Sequence, residues 1–200
     1  MARDMSPVLK KCRSLGIEPQ YLGIDKKSNR NFARAGKKVS EYGLQLKEKQ
    51  KAKFIYGVTE KPFRNMFAKA EKMRTGTAGE NLMTLLELRL DNIIFRLGLA
   101  RTRKEARQVV DHKCVRINGK CVNIPSYTVK VGDVITVTDK AKNKAGQRFK
   151  DILEVTGGRA VPAWLEADKE NLCGTVKELP TREQIDVPVN EMLIVELYSK

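Results

Sequence analysis

Arg89–Val137 reads RLDNIIFRLGLARTRKEARQVVDHKCVRINGKCVNIPSYTVKVGDVITV, and the order of signals within it decides the fold. Thr102 stands three residues before Glu105, the spacing of a capping box, so a helix opens there. Ala106, Val109 and Val110 fall on its inward face, and Arg103, Lys104 and Arg107 are expected to lie exposed on its first turns. Asn118-Gly119 between Val115-Arg116-Ile117 and Lys120-Cys121-Val122 is a strong two-residue hairpin signal. Val134-Ile135-Thr136-Val137 is a further strand, entered through Gly132-Asp133. The result is a small rigid platform presenting several guanidinium groups, which suits the phosphate oxygens and splayed bases of structured RNA.

Outward from this segment the charge is uneven. The 200 residues carry a net +15 with 41% hydrophobic and 32% charged residues, which points to a polyanionic partner, nucleic acid or an acidic membrane surface. Residues 1–90 hold +11, residues 91–150 hold +9, and residues 151–200 hold −5. The polyanion is therefore expected along the first three quarters, and the acidic end faces solvent or a basic protein neighbour. No apolar run approaches the ~20 residues of a spanning helix, and Met1-Ala2-Arg3-Asp4 lacks the apolar core of a signal peptide. A soluble, cytoplasmic protein without a membrane partner is expected. Cys12, Cys114, Cys121 and Cys173 show no CxxC spacing and read as small buried or inert thiols.

Residues 1–39 show little periodicity and read as a basic arm that orders on RNA. It carries Arg3, Lys10, Lys11, Arg13, Arg30, Arg34, Lys37 and Lys38, with Tyr21 and Phe32 available for stacking. Residues 40–90 read as a helical domain. Ser40 caps a helix running to about Tyr56, closed by Gly57. Thr59 caps a second helix, with Phe63, Met66, Phe67, Ala70 and Met73 on its apolar face. Thr77 and Glu80 box a long third helix that ends near Gly98. Residues 91–200 read as an α+β domain with a small antiparallel sheet and the platform at about 91–140. A helix is expected around Gln147–Val155, stopped by Gly157-Gly158. A short helix start at Pro162–Leu165 inserts Trp164 into the core, and strands are expected at Gly174–Leu179 and Met192–Tyr198. The fold class is α+β.

Catalytic chemistry finds no footing. One histidine, His112, cannot assemble a metal site or a nucleophile relay, and it reads as a helix-terminal residue or a polar contact to RNA. Neither GxxxxGK[ST] nor GxGxxG is present. Gly157-Gly158-Arg159 lies in the net-acidic end and reads as a helix stop. No acid, base and nucleophile converge, so no enzyme and no cofactor are expected.

Arg89–Val137 resembles the S4 RNA-binding domain, a module shared by ribosomal proteins, some pseudouridine synthases, tyrosyl-tRNA synthetases and a heat-shock protein. Alone it leaves enzyme and ribosomal readings open. Ser40–Lys51 (SEYGLQLKEKQK), Tyr56-Gly57-Val58 and Glu191–Tyr198 (EMLIVELY) resemble the bacterial ribosomal protein S4 family. That resemblance runs from about residue 40 to residue 200, and no catalytic domain is appended. It implies a structural constituent of the small ribosomal subunit that binds the 5′ region of 16S rRNA early in assembly and organises a multi-helix junction. It further implies contact with ribosomal protein S5 and other small-subunit proteins, a place near the path by which messenger RNA enters, an influence on decoding accuracy, and in some members repression of the protein's own messenger.

Carried onto this chain, the RNA-facing candidates are the basic arm, Tyr42, Lys47, Lys51 and Arg64. In the module they are Arg96, Arg101, Thr102, Arg103, Lys104, Arg107, Arg116, Asn118, Lys120 and Tyr127. The Thr102 helix start offers backbone N–H groups to a phosphate, and Arg101 and Arg103 flank it for bidentate contacts. Tyr127 either stacks on a base or covers the sheet. Arg96 or Arg116 is alternatively an ion-pair partner of Asp91 or Asp111. Two departures from the family stand out. Zinc-binding members carry four cysteines in the first thirty or so residues where this chain has only Cys12, so no metal is expected. Where the family commonly has Gly-His after the module's second helix, this chain has Lys113-Cys114. A left-handed Lys113 costs on the order of 1 kcal/mol, unless the helix closes differently.

Overall fold

A computed structural model describes residues 6–26, 30 and 39–199, without the side chains of 143–146. The chain divides into two compact units, residues 1–83 with 186–200, and residues 84–185. This division differs from the expected 40–90 and 91–200, because the last helix is built into the helical unit.

In the helical unit, α1 (Val8–Leu15) ends at Gly16 and is followed by a 3-10 turn at Pro19–Leu22. The expectation of little regular structure before residue 40 is thus corrected. Cys12 and Leu15, three residues apart on the helix, and Ile17 just past its end are buried between basic residues that hide the pattern in the sequence. Ser40 caps α2 (Glu41–Tyr56), and left-handed Gly57 closes it, as the sequence predicts. Thr59 stands at the start of α3 (Glu60–Glu71) without a side-chain cap bond. Phe63, Phe67 and Ala70 are buried, whereas Met73 is exposed. Glu191–Tyr198 forms α8, capped by Asn190, where a strand is expected. The helix is held on α2: Gln45 donates to Glu196 at 3.1 Å, and the Asn190 N–H donates to Glu48 at 3.1 Å. Tyr198 stacks on Phe67 at 4.5 Å and donates to Glu60 at 3.1 Å.

Thr77 and Glu80 complete the box that opens α4 (Ala78–Glu87). The expected long helix is broken at Leu88–Arg89, and α5 (Leu90–Arg96) begins afresh. The break is set by a distant loop. The Leu90 and Asp91 N–H groups donate to the Tyr127 and Pro125 carbonyls, and the Val129 N–H donates to Leu88. Backbone groups that a continuous helix would use internally are committed to that loop.

Units of helix and sheet then alternate: α6 (Arg103–Asp111), β1 (Val115–Ile117), β2 (Lys120–Cys121), β3 (Val134–Val137), α7 (Asp139–Thr156), β4 (Leu165–Asp168) and β5 (Cys173–Val176). The sheet order is β2-β1-β3-β5-β4, and every pairing is antiparallel. Ile117, Ile135 and Gly174 form one row on the buried face. A Cβ at Gly174 would lie 2.5 Å from the Leu97 side chain, so only glycine lets the sheet approach α5 this closely. Asn118 and Gly119 both have positive φ, the geometry of a type I′ hairpin. Thr138 caps α7, which begins eight residues earlier than expected. Trp164 is buried as expected, but Leu165–Asp168 is strand and not helix. The Trp164 carbonyl accepts from Lys177 N at 3.0 Å, which zips this segment onto β5.

The second helix of the module closes as a complete Schellman motif. The Lys113 N–H donates to Val110 and the Cys114 N–H to Val109, with Lys113 at φ 57. The scaffold therefore carries the left-handed lysine. Among the cysteines Cys12 is buried and Cys121 is exposed. It lies on β2, the edge strand of the sheet.

Candidate nucleic-acid interface

α5, the turn Leu97–Thr102 and α6 form a helix-turn-helix. The Thr102 hydroxyl accepts the Glu105 N–H at 3.2 Å, so half of the expected box is present. The other half is redirected. The Glu105 carboxylate accepts from the Arg101 N–H at 2.8 Å and from its guanidinium at 3.1 and 2.9 Å. Arg148 adds a contact at 3.4 Å. Burial opposes ionisation of Glu105, but hydrogen bonds from Arg101 and the charges of Arg101 and Arg148 outweigh it and hold the carboxyl below its ordinary value. The amides of Arg101 and Glu105 are thus committed within the protein, and Arg101 is aimed by a carboxylate.

Arg103 and Arg107 are buried, at 6% and 9% exposure, which corrects the expectation that both are exposed. The cause is the set of acceptors that α5 brings beneath them. Arg107 donates to Asp91 at 3.1 and 2.6 Å, and Arg89 donates to the same carboxylate at 3.0 and 2.7 Å. Arg103 donates to Asn92 at 2.7 Å and lies 4.2 Å from the centroid of the Phe95 ring. Asn92 in turn donates to Glu87 at 2.6 Å. Arg96 is buried too, and it pairs with Glu87 at 3.1 and 2.8 Å. Buried charges require partners of this quality. These guanidiniums build the platform from within. Arg89 belongs to the same network and is not evident from the sequence, because residues two apart do not face each other in the continuous helix expected there.

The outward-facing cations are others. Arg101, 49% exposed at its side chain, and Lys104 stand at the start of α6, and Lys120 lies at the hairpin. Arg116 projects from β1, with Asp139 at 3.0 Å. Asn118 spends both ends of its amide on the turn: it donates to Asp133 at 2.8 Å and accepts from Val134 N at 2.9 Å. Tyr127 is 37% exposed, and its carbonyl accepts from the Leu90 N–H at the start of α5. Lys113 and His112 are exposed at the end of α6.

In the helical unit, Lys10, Arg30, Tyr42 and Arg64 are exposed, and Arg13 and Lys47 are half-buried. Lys11 lies 5.0 Å from the centroid of the Phe54 ring, and Lys51 pairs with Glu48. Arg13, Lys26 and Arg30 line a cavity of about 320 Å³ together with Leu9, Cys12 and Ile17. Arg3, Arg34, Lys37 and Lys38 lie outside the described residues. Among the described residues, no three His, Cys, Asp or Glu side chains gather as a metal-binding group, and no helix is long and apolar enough to cross a membrane.

A helix-turn-helix packed on a hairpin sheet, with cations displayed at the second helix start and along the hairpin, defines a small RNA-binding module. Residues 88–135 match the S4 domain family, and residues 3–87 match the ribosomal protein S4/S9 N-terminal domain. Small ribosomal subunit protein uS4 of Lachnoclostridium phytofermentans is 76% identical over the whole of both chains. Its counterpart in Agathobacter rectalis is 71% identical over the same extent, and that of Clostridium tetani is 50% identical, again end to end. The chain belongs to the uS4 family of small ribosomal subunit proteins, which are structural and non-enzymatic.

Proposed function

We propose that this chain is a primary binder of 16S rRNA that joins the small subunit early, organises the junction of the 5′ domain and stays in the cytoplasmic ribosome as a structural constituent. The observation that carries this reading is the division of labour among the arginines. Arg89, Arg96, Arg103 and Arg107 are fixed inside by Glu87, Asp91 and Asn92. That interior holds Arg101, Thr102 and Lys104 at the α6 start, with Arg116, Asn118, Lys120 and Tyr127 on the sheet side of the same unit. Arg101, Lys104, Arg116 and Lys120 meet phosphates, Tyr127 meets a base, and Asn118 holds the hairpin. Lys10, Lys11, Arg13, Arg30, Tyr42, Lys47, Lys51 and Arg64 add contacts from the helical unit.

Phosphate neutralisation releases counterions, so log affinity falls linearly with log salt, with a slope of about −0.7 to −0.9 per contact. Titrating the protein against small-subunit rRNA at increasing salt tests the proposal, and binding indifferent to salt overturns it. The acidic end, at −5 over residues 151–200, supports contact with a basic neighbour such as ribosomal protein S5. Through that contact the protein influences decoding near the path of incoming messenger. Repression of its own messenger is the same interface reading an RNA leader that imitates the rRNA site. Filter binding that ranks the leader against rRNA tests that part.

A further inference from the structure

The Gly157-Gly158-Arg159 segment stops α7, yet its arginine has a larger part than a helix stop requires. The Arg159 guanidinium donates to the Phe95 carbonyl at 3.2 Å, to Ala100 at 3.4 Å and to Arg101 at 3.1 Å. Its central carbon lies 4.3 Å from the centroid of the Phe95 ring, and that of Arg103 lies 4.2 Å from the same centroid. Both guanidiniums therefore lie in cation–π contact with the Phe95 ring. The Thr156 hydroxyl lies 2.7 Å from the Gly98 carbonyl and 2.8 Å from the Ile152 carbonyl of its own helix, and its single proton serves one of them at a time. Arg159, just past the end of α7, thus supplies donors to three carbonyls along the α5 end and the turn that leads into α6.

We infer that Arg159 is a positioning residue for RNA recognition: its planar fork braces the Phe95–Arg101 turn and so fixes where Arg101, Thr102 and Lys104 stand, without itself meeting phosphate. This rests on the RNA-binding reading given above and assigns that interface a support about sixty residues away in sequence. The chemistry is specific to arginine. A lysine keeps the charge but offers a single ammonium point, which cannot serve carbonyls on both sides of the turn in one plane. Without the fork, the Ala100 and Arg101 carbonyls lose its donors while the Phe95 carbonyl retains the Gly98 N–H, and the turn relaxes toward solvent.

The test uses the full chain with Arg159→Ala, Arg159→Lys and, for comparison, Arg101→Ala, each titrated with small-subunit rRNA over a range of salt. Arg159→Ala is expected to weaken binding by roughly tenfold with the salt slope unchanged. Arg101→Ala is expected to weaken binding and also to flatten the slope by about 0.7 to 0.9. Arg159→Lys is expected to bind like Arg159→Ala. Three results overturn the inference: unchanged binding in Arg159→Ala, a slope change in Arg159→Ala equal to that of Arg101→Ala, or full recovery by lysine. Near-ultraviolet circular dichroism of Trp164 checks the fold. If Arg159→Ala fails to fold, Arg159→Lys alone decides the matter by affinity and slope. Failure of the unsubstituted protein to bind rRNA overturns the RNA-binding reading instead, and the two failures are told apart by that control.

Discussion

The two sides of α6 are made from the same residue types and meet opposite surroundings. Arg103 and Arg107 point at Asn92 and Asp91 and are buried. Lys104, and Arg101 just before the helix, are exposed, and the Arg101 guanidinium is steadied by a carboxylate at its own helix start. The fate of a cation in this module is set by the acceptors the neighbouring helix offers. A buried guanidinium without hydrogen-bonding partners would forfeit several kcal/mol. Cationic side chains can therefore stay available for RNA only where α5 presents none.

The largest expected break of this contrast is Asp91→Ala. It strands Arg89 and Arg107 and is expected to cost about 3–5 kcal/mol, read as a lower urea midpoint of Trp164 fluorescence. A cost under about 1 kcal/mol would place those arginines among the solvated ones. Arg103→Glu with Arg107→Glu is likewise expected to unfold the unit, visible in circular dichroism, where exposed residues would have left folding intact.

On the outward side, Lys104→Ala and Lys120→Ala are each expected to reduce the salt slope of rRNA binding by about 0.7 to 0.9. Their stability should stay within about 0.5 kcal/mol of the original protein. Thr102→Ala separates the two sides further. Loss of its cap bond to Glu105 is expected to cost about 1 kcal/mol in denaturation while the slope stays put. Lys113→Gly, at the left-handed position, is expected to raise stability by up to about 1 kcal/mol, and an unchanged melting midpoint would show that the motif bears no strain there.

The smallest effect belongs to the helical unit. Burial opposes ionisation of Glu60, but hydrogen bonds and charge from Lys53 and Lys49 outweigh it and bring the carboxyl down to about 2. The folded value lies below the unfolded one, near 4.3. The stabilising contribution is therefore complete above about pH 4.5 and is lost as pH falls toward 2. The Glu60 side chain is 46% exposed, so solvent screening keeps the effect small. Glu60→Gln is expected to flatten the acid limb of the stability curve, and high salt to shrink the difference.

Much of this was legible wherever the signal is local. Ser40 and Gly57 bound α2, Asn118-Gly119 makes the hairpin, and Thr102 opens α6, because each acts on backbone within a few residues. Elements decided by distant partners were not legible. The break at Leu88–Arg89 answers to carbonyls at Pro125 and Tyr127, far outside any periodicity window. α8 spans eight residues, too short to be stable alone, and its apolar run EMLIVELY reads equally as strand until α2 receives it. The same limit hid the interior of the site. Arg103 and Arg107 occupy positions that a helical wheel leaves half outward, and only Asp91 and Asn92 beneath them turn those arginines in. Arg159 was invisible as a support because its carbonyl partners lie about sixty residues earlier.

The lodging of α8 against α2 fixes an order of events during synthesis. A growing polypeptide emerges from its amino end, so α2 and α3 leave the exit tunnel long before Asn190–Tyr198 exists. Until those last residues appear, Gln45, Glu48 and the rings of Phe63 and Phe67 lack the partners that complete their unit. The intervening unit, whose residues 84–185 are contiguous, is under no such delay. Translation therefore finishes the middle of this molecule first and its beginning last.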